Sequence, residues 1–252
     1  MHVNGSLPNR RAALRVITAG AAGVAFPALL GCAPSPAGKP SPSSPSLGPS
    51  SPGLSAAHKA AGGGGDVIAP EGTLIMVIRH GEKPASKSIA GIDLDGRPDT
   101  HSLNERGWTR AAYLPDLFLA PDDGGGQPTL PSPTVIYASG PGAGDGEGTR
   151  PRQTVGPLAA ALGLIVDTTF SRGQEADLVA QAATQPGPVL ICWQHESIPA
   201  IGAAFGNVSP APPGTWPDDE YDKLWAFGST GDGWQFAQVS EGLLPGDSGV
   251  GY

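Results

Sequence analysis

The segment from Leu74 to Pro84 reads LIMVIRHGEKP. Its opening run of apolar residues is typical of a β-strand that is covered on both faces of a sheet. The strand ends on Arg79 and His80, where the hydrophobicity stops. Two cationic side chains at a strand end are either exposed to solvent at the surface or placed in a site that binds an anion.

Further apolar segments alternate with helical patterns after this strand. They predict a sheet with helices on both faces, that is, a three-layer α/β/α sandwich of the α/β class with a mostly parallel central sheet. The last two strands, joined by a Gly-Asp-Gly turn, are expected to form a hairpin at the sheet edge. The predicted strands cover 73–80, 134–139, 162–170 and 188–195, and the predicted helices 103–119, with a kink at Pro115, 152–163 and 173–184.

The N-terminal part has the composition of targeting and linker sequence. Residues 1–32 contain Arg10-Arg11, an apolar stretch and the sequence Leu-Leu-Gly-Cys ending at Cys32. They resemble a bacterial lipoprotein signal, and the two arginines also loosely resemble a twin-arginine signal; an uncleaved anchor helix is the alternative. Residues 33–70, rich in Pro, Ser and Gly, are expected to be a disordered tether, which leaves 71–252 as the folded domain.

We therefore expect an extracytoplasmic domain, in the periplasm or on the cell surface, held to the bacterial membrane by a lipid on Cys32. The net charge of −8 argues against a broad nucleic-acid-binding surface. Cys192 lies in an apolar run and is expected to be a buried, inert thiol. The five histidines lack the spacing of a ligand set, so we predict chemistry without a metal or a cofactor.

Three predicted strands end in polar or cationic residues. Arg79-His80 ends the first, Ser139 ends the second and is followed by Arg150 near a helix start, and His195-Glu196 ends the third. Because the carboxyl ends of parallel strands share one edge of a sheet, where ligands bind, we expect these residues to meet there.

Together these pieces resemble the signature of the histidine phosphatase superfamily, which includes phosphoglycerate mutases, acid phosphatases and phytases. The resemblance runs from Leu74 to Ile198 and implies a phosphoglycerate mutase-like fold. The matching residues are Arg79-His80-Gly81-Glu82, Leu103-Asn104-Glu105-Arg106-Gly107 with Arg110-Ala111, Ser139, Arg150 with Gln153-Thr154, and His195.

The resemblance implies a role for each matching residue. His80 is expected to attack phosphorus as a neutral imidazole and form a phosphohistidine. Arg79 and Arg150 are expected to hold the phosphate with their planar guanidinium groups, and the family register favours Arg150 over Arg152. His195 is expected to stabilise charge on the equatorial oxygens in the transition state.

The remaining site residues are less tightly specified. Ser139 and Glu82 are expected to contribute to substrate binding beside the nucleophile. Glu196 is the favoured general acid because one branch of the family carries the acid directly after the second histidine. Glu175 is the alternative, since the other branch carries the acid after the second arginine, and Glu82 is a third candidate.

The leading hypothesis is a metal-independent hydrolase of small phosphomonoesters. The alternatives are a non-catalytic lipoprotein that binds phosphate or a phosphorylated ligand, and a phosphohistidine phosphatase or mutase-type phosphotransferase. The acidic run at residues 218–220 is expected to be a solvated turn.

Overall fold

The computed structural model describes residues 66–86, 88–119, 130–142 and 148–247. The predicted signal sequence with Cys32, the tether up to residue 65 and the middle of the glycine-rich loop after Ser139 lie outside these ranges. Within them, no helix has the length and apolar character needed to cross a bilayer.

The central sheet is mixed and mostly parallel, as the alternating pattern predicted. Its seven strands lie in the order β5-β4-β6-β1-β8-β9-β7, and β5, β4, β6 and β1 run parallel to their neighbours within that group. A separate two-stranded sheet pairs β2 with β3. The strands are β1 Leu74–Arg79, β2 Gly91–Ile92, β3 Pro98–Asp99, β4 Val135–Ala138, β5 Val166–Asp167, β6 Val189–Trp193, β7 Val208–Ser209, β8 Lys223–Ser229 and β9 Trp234–Ser240.

The described part of the chain contains five helices. The helices are α1 Glu105–Tyr113, α2 Asp116–Leu119, α3 Thr149–Leu162, α4 Glu175–Ala182 and α5 Ile198–Ala204, and a 3₁₀ turn at His195–Ser197 precedes α5. The predicted helix over 103–119 is divided close to Pro115, because a proline lacks the N–H of the helical hydrogen bond and its ring clashes with the preceding turn. Asn104 is its N-cap and accepts a hydrogen bond from Gly107 N. Helix α3 begins at Thr149, three residues before the predicted start.

The two faces of β1 belong to two separate apolar cores. Ile75 and Val77 pack with residues of α4 and α5, whereas Met76 and Ile78 pack with residues of α2 and α3. All four side chains are fully buried, as expected for a strand covered on both faces. The protein is therefore a three-layer α/β/α sandwich, as predicted.

Three further details differ from the sequence prediction. The strand predicted over 162–170 is reduced to Val166–Asp167, because α3 continues to Leu162. The C-terminal hairpin of β8 and β9 is present, but β8 pairs antiparallel with the central strand β1, and the edge strand beyond β9 is the short β7. The folded part also begins earlier than residue 71. Val67 N donates to Phe205 O, and Ala69 is buried, so the last residues of the predicted tether pack onto the domain.

Candidate active site

Arg79, the last residue of β1, is a fully buried arginine. Its Nη1 donates to the carbonyl oxygens of Asp218, Glu220 and Pro217 at 2.7, 3.0 and 3.2 Å. Burial lowers the pKa of its guanidinium below its usual value, and Tyr221 and nearby carboxylates oppose that shift. Arginine stays charged in proteins, so β1 presents a fixed cation at its carboxyl end.

The segment that surrounds Arg79 precedes β8 and comes from the far end of the chain. The ring of Tyr221 lies 3.8 Å from the guanidinium carbon, a distance typical of a cation–π contact. Trp216 is buried and its Nε1 donates to Glu220 O, which holds the turn in shape. Residues 218 and 219 form an exposed turn, as predicted, and the carbonyls of Asp218 and Glu220 also accept hydrogen bonds from the buried Arg79, which the sequence did not indicate.

His80 is positioned as a neutral imidazole. Its Nδ1 lies 2.7 Å from Gly81 O, and because a carbonyl can only accept, the proton is on Nδ1 and the lone pair is on Nε2. Burial first, and then the charges of Arg79, Arg150 and His195, lower its pKa to about 3, against the opposing Gly81 hydrogen bond. The ring is only 4% exposed. A neutral imidazole held by one nitrogen leaves the other free to act as a nucleophile.

The loop after His80 is fixed by contacts with two helices. Gly81 N donates to Thr154 Oγ1 at 2.8 Å, and that hydroxyl donates to Arg150 O in the first turn of α3. Gly81 and Gly107 lie so close together that a Cβ on Gly107 would clash with the backbone of Glu82. Both glycines therefore allow a backbone approach that holds the His80 loop against α1.

Arg150 lies in the first turn of α3, facing the segment that precedes α1. Its Nη2 donates to Thr100 O at 2.8 Å and its Nε to Ser102 O at 3.2 Å. Burial lowers the pKa of its guanidinium, and its charge contributes to the low pKa of His80, so the two side chains are electrostatically coupled. Arg152 is exposed. The structure thus brings Arg150, rather than Arg152, toward the nucleophile.

His195 follows β6, the parallel neighbour of β1, and is 3% exposed. Its Nε2 lies 2.7 Å from Asp218 Oδ1. Glu196 Oε2 lies 3.1 Å from Nδ1 but off the direction of a hydrogen bond, so Nδ1 has no hydrogen-bond partner among the described residues. Burial first, and then the charge of Arg79, lower the pKa of His195, while Asp218 and Glu196 act in the opposite direction.

Unpaired polar atoms concentrate at this edge of the sheet. Within the described ranges, the buried side-chain nitrogen and oxygen atoms without a hydrogen-bond partner are Arg79 Nε, Arg79 Nη2, His195 Nδ1 and Gln194 Oε1. A buried, unpaired polar group costs about 1–3 kcal/mol, and more if it is charged. Two guanidinium donors and one imidazole nitrogen left unpaired beside a neutral His80 indicate a site that an oxyanion completes.

The two candidate general acids have different surroundings. The carboxylate of Glu196 is half exposed and close enough to Arg79 and Arg150 to influence both guanidinium groups. Glu175 is 7% exposed, and its carboxylate accepts hydrogen bonds from Gly173 N and from Trp193 Nε1 at 3.0 Å. Glu175 thus serves to fix the start of α4 against β6, and the geometry favours Glu196.

Glu82 does not face the nucleophile as a substrate ligand. Its carboxylate accepts from Arg110 Nη2 at 2.8 Å and from Arg106 Nε at 3.0 Å, in a cluster that also contains Glu241 and Asp247. Burial is the main cause that raises the pKa of Glu241 to about 8. The assignment of Glu82 to substrate binding, and its place as third candidate acid, are therefore corrected: it joins the His80 loop to α1 and the C-terminal segment.

Ser139 ends β4 and is fully buried. Its hydroxyl accepts a hydrogen bond from Gln194 Nε2 at 3.0 Å, which ties the end of β4 to the end of β6. Ser139 therefore lies at the expected edge, where it supports the strand that carries His195.

No family model and no curated protein matches the sequence. Solved structures with a similar fold include a mycobacterial glucosyl-3-phosphoglycerate phosphatase, with 15% identity over 67% of this chain and 97% of that chain and a TM-score of 0.39. Two candidate phosphohistidine phosphatases of the SixA type are also similar. The one from Nakamurella multipartitia has 19% identity over 65% of this chain and 92% of its own, with a TM-score of 0.36. The one from Agrobacterium tumefaciens has 20% identity over 65% and 94%, with a TM-score of 0.35.

These similarities concern the fold. Their TM-scores below 0.5 and identities of 20% or less are too low to decide what this chain does. The activity has to be inferred from the geometry of the site.

The unpaired donors of Arg79 lead to a prediction about phosphate binding. Replacing Arg79 by lysine keeps the charge but removes the fork formed by Nε and Nη2. We expect Arg79→Lys to raise the Kd for inorganic phosphate about 10- to 100-fold, the size of one or two lost charge-assisted hydrogen bonds. Isothermal titration calorimetry on the full chain measures this.

Arg152→Lys is the matched control, because Arg152 is an exposed arginine near the start of α3. A thermal melt shows that each variant is folded before it is titrated. Equal phosphate affinity in Arg79→Lys and the parent protein would remove Arg79 from the anion site.

Proposed function

We propose that this protein is a metal-independent phosphomonoester hydrolase of the histidine phosphatase superfamily, acting through a phosphohistidine intermediate on a small phosphorylated substrate. The observation that carries the proposal is the state of His80. Its Nδ1–H is donated to Gly81 O, its pKa is near 3, and the cationic groups of Arg79, Arg150 and His195 surround it. A buried neutral imidazole among cationic donors suits attack on a phosphate dianion.

In the first step, the lone pair on His80 Nε2 forms a bond to phosphorus as the ester P–O bond breaks. The hydrogen bond from Nδ1 to Gly81 O stabilises the positive charge that the phosphorylated ring acquires. In the transition state, the charge on the phosphoryl oxygens is neutralised by Arg79 Nε and Nη2, Arg150 and His195 Nδ1. Fixed donors in a water-poor site do this without reorganising during the reaction.

The leaving alkoxide takes a proton from the carboxylic acid of Glu196, which lies beside His195 on the half-exposed side of the site. In the second step, water attacks phosphorus and gives a proton to the Glu196 carboxylate. The N–P bond breaks, its electron pair returns to Nε2, and inorganic phosphate is released. Each step thus uses one nucleophile and one proton-transfer group.

The alternative of a phosphate-binding protein without activity would use the same arginines. It gives no account of His80, because an anion binder needs neither a free imidazole lone pair nor a ring held by Nδ1 alone. A retained nucleophile in the productive tautomer therefore favours catalysis over binding.

The first prediction from this mechanism concerns His80. Full-length protein in detergent should hydrolyse p-nitrophenyl phosphate with a chelator present, and His80→Ala should lose at least about 10³-fold in kcat because the covalent route is removed. Turnover is followed at 405 nm after alkaline quenching, from about pH 4 to pH 8.

His101→Ala is the control. His101 lies in the loop before α1, and its Nδ1 is 3.7 Å from Asp99 Oδ1. If the parent protein shows no turnover over this pH range but still binds inorganic phosphate, the hydrolase proposal is wrong and the phosphate-binding protein is favoured.

The second prediction separates the two candidate acids. Glu196→Gln should slow hydrolysis of an alkyl phosphate by about 10²- to 10³-fold, because a poor leaving group needs a proton. Hydrolysis of p-nitrophenyl phosphate should change far less, since p-nitrophenolate leaves without protonation.

Glu175→Gln is the matched variant, a buried carboxylate on the neighbouring helix. It should leave the ratio of the two rates unchanged. If Glu175→Gln rather than Glu196→Gln changes that ratio, the general-acid assignment moves to Glu175.

We also propose that the enzyme acts outside the cytoplasm, anchored to the bacterial membrane by a lipid on Cys32. The support is the basic region, the apolar stretch and the Leu-Leu-Gly-Cys sequence within residues 1–32, followed by the Pro/Ser/Gly-rich tether. A tether of this composition would let the domain reach substrates away from the membrane surface.

Lipidation is tested by expressing the full chain in bacteria fed a radiolabelled fatty acid. The parent protein should carry label and sediment with membranes, and Cys32→Ala should do neither, while Cys192→Ala should retain both. If Cys32→Ala still carries the label, lipidation at Cys32 is wrong. If Cys32→Ala still sediments with membranes, the uncleaved anchor helix is favoured instead.

A further inference from the structure

Asp218 contacts two of the cationic groups of the proposed site. Its backbone oxygen accepts from Arg79 Nη1 at 2.7 Å, and its side-chain Oδ1 lies 2.7 Å from His195 Nε2. Neither Arg79 nor His195 is near it in sequence. One residue of the segment before β8 therefore joins the ends of β1 and β6.

The two ring nitrogens of His195 have different surroundings. Nε2 faces the Asp218 carboxylate. Nδ1 is buried and lies 3.1 Å from Glu196 Oε2, but like Arg79 Nε and Nη2 it makes no hydrogen bond within the described part of the chain. A carboxylate at one nitrogen orients the ring and favours a proton on both, so that the other nitrogen donates to a ligand.

The charges around His195 act in both directions. Burial, Arg79 and Lys83 lower its pKa, and Asp218 and Glu196 raise it. The hydrogen bond to His195 is also the largest cause that lowers the pKa of Asp218. The net effect lowers the pKa of His195, so a proton on both ring nitrogens depends on the two carboxylates, Asp218 and Glu196, that oppose the effect of burial.

From this geometry we infer that Asp218 is a positioning residue for the proposed phosphoryl transfer: its carboxylate holds His195 as an imidazolium whose Nδ1–H points to the phosphate. The inference rests on the proposed function. The arrangement differs from the acid assignment at Glu196, because Asp218 acts through His195 and does not transfer a proton to the leaving group. Asp218 also aligns Arg79 through its backbone oxygen. Phosphate binding by Arg79 and charge stabilisation by His195 therefore depend on the same turn.

The inference is tested with Asp218→Asn, which keeps the backbone carbonyl and its contact with Arg79 but removes the carboxylate charge. Losing a group that raises the pKa of His195 lowers that pKa. The imidazolium form then disappears at a lower pH, so the alkaline limb of kcat/KM moves toward acid. Above that limb kcat/KM should fall about tenfold relative to the parent protein, and well below it the two should agree within about twofold.

The size of the effect is limited by solvent, because the Asp218 side chain is 94% exposed. Exposed ion pairs are screened by salt, so the difference between the two proteins should shrink at high ionic strength. Asp218→Glu keeps the charge and should restore most of the alkaline activity. Asp219→Asn removes the same charge one residue further along and should leave the profile unchanged.

A second readout does not depend on turnover. Titration of the His195 imidazole by ¹⁵N NMR in the full chain should give a lower pKa in Asp218→Asn than in the parent protein or in Asp219→Asn. This measurement also reports on the pair if the parent protein proves to be a binder without activity.

The outcomes are separable. A lower His195 pKa together with the alkaline loss of kcat/KM supports the inference. Unchanged titration in Asp218→Asn overturns it, and if His80→Ala still abolishes turnover, the proposed function stands without it. No turnover in the parent protein, with a lowered His195 pKa in Asp218→Asn, overturns the catalytic role of the pair and leaves Asp218 as a determinant of phosphate binding.

Discussion

The buried guanidinium of Arg79 is the constraint around which the site is organised. Removing a charge from water carries a penalty of several kcal/mol, which must be offset by hydrogen bonds and by nearby opposite charge. Here three carbonyl oxygens of the segment before β8 satisfy Nη1, and the ring of Tyr221 covers one face. The protein thus satisfies Nη1, whereas Nε and Nη2 have no hydrogen-bond partner among the described residues and are the donors that the proposed mechanism assigns to the phosphate.

The sheet makes this arrangement rigid. The parallel strands β1 and β6 are adjacent and buried on both faces, and they bring His80 and His195 to the same edge. The loop after His80 is held by Thr154 and by the close approach of Gly81 to Gly107. A nucleophile and its charge-stabilising groups have to be held within a fraction of an ångström to be effective, and central strands achieve this better than surface loops do.

Two networks of charge flank the site and have different roles. The cluster of Glu82, Arg106 and Arg110 with Glu241 and Asp247 is largely buried and joins the His80 loop to α1 and the C-terminal segment. Removing one member of such a cluster destabilises a protein because it leaves an uncompensated charge. The pair of His195 and Asp218 is solvent-accessible on its acidic side, where a proton can be exchanged with water.

The sequence by itself determined the fold class and the approximate positions of the central strands, and its family resemblance predicted His80 as the nucleophile. Apolar runs and helical spacing act over neighbouring residues, so β1, β6 and the helix interrupted at Pro115 could be read from local pattern. Only the tertiary structure decided what pairs with the charged groups. Glu82 lies two residues after His80, yet its carboxylate accepts hydrogen bonds from Arg110. Asp218 lies in an ordinary acidic run, yet its carboxylate contacts His195. Such pairings are set by where loops distant in sequence meet, and local pattern carries no information about that.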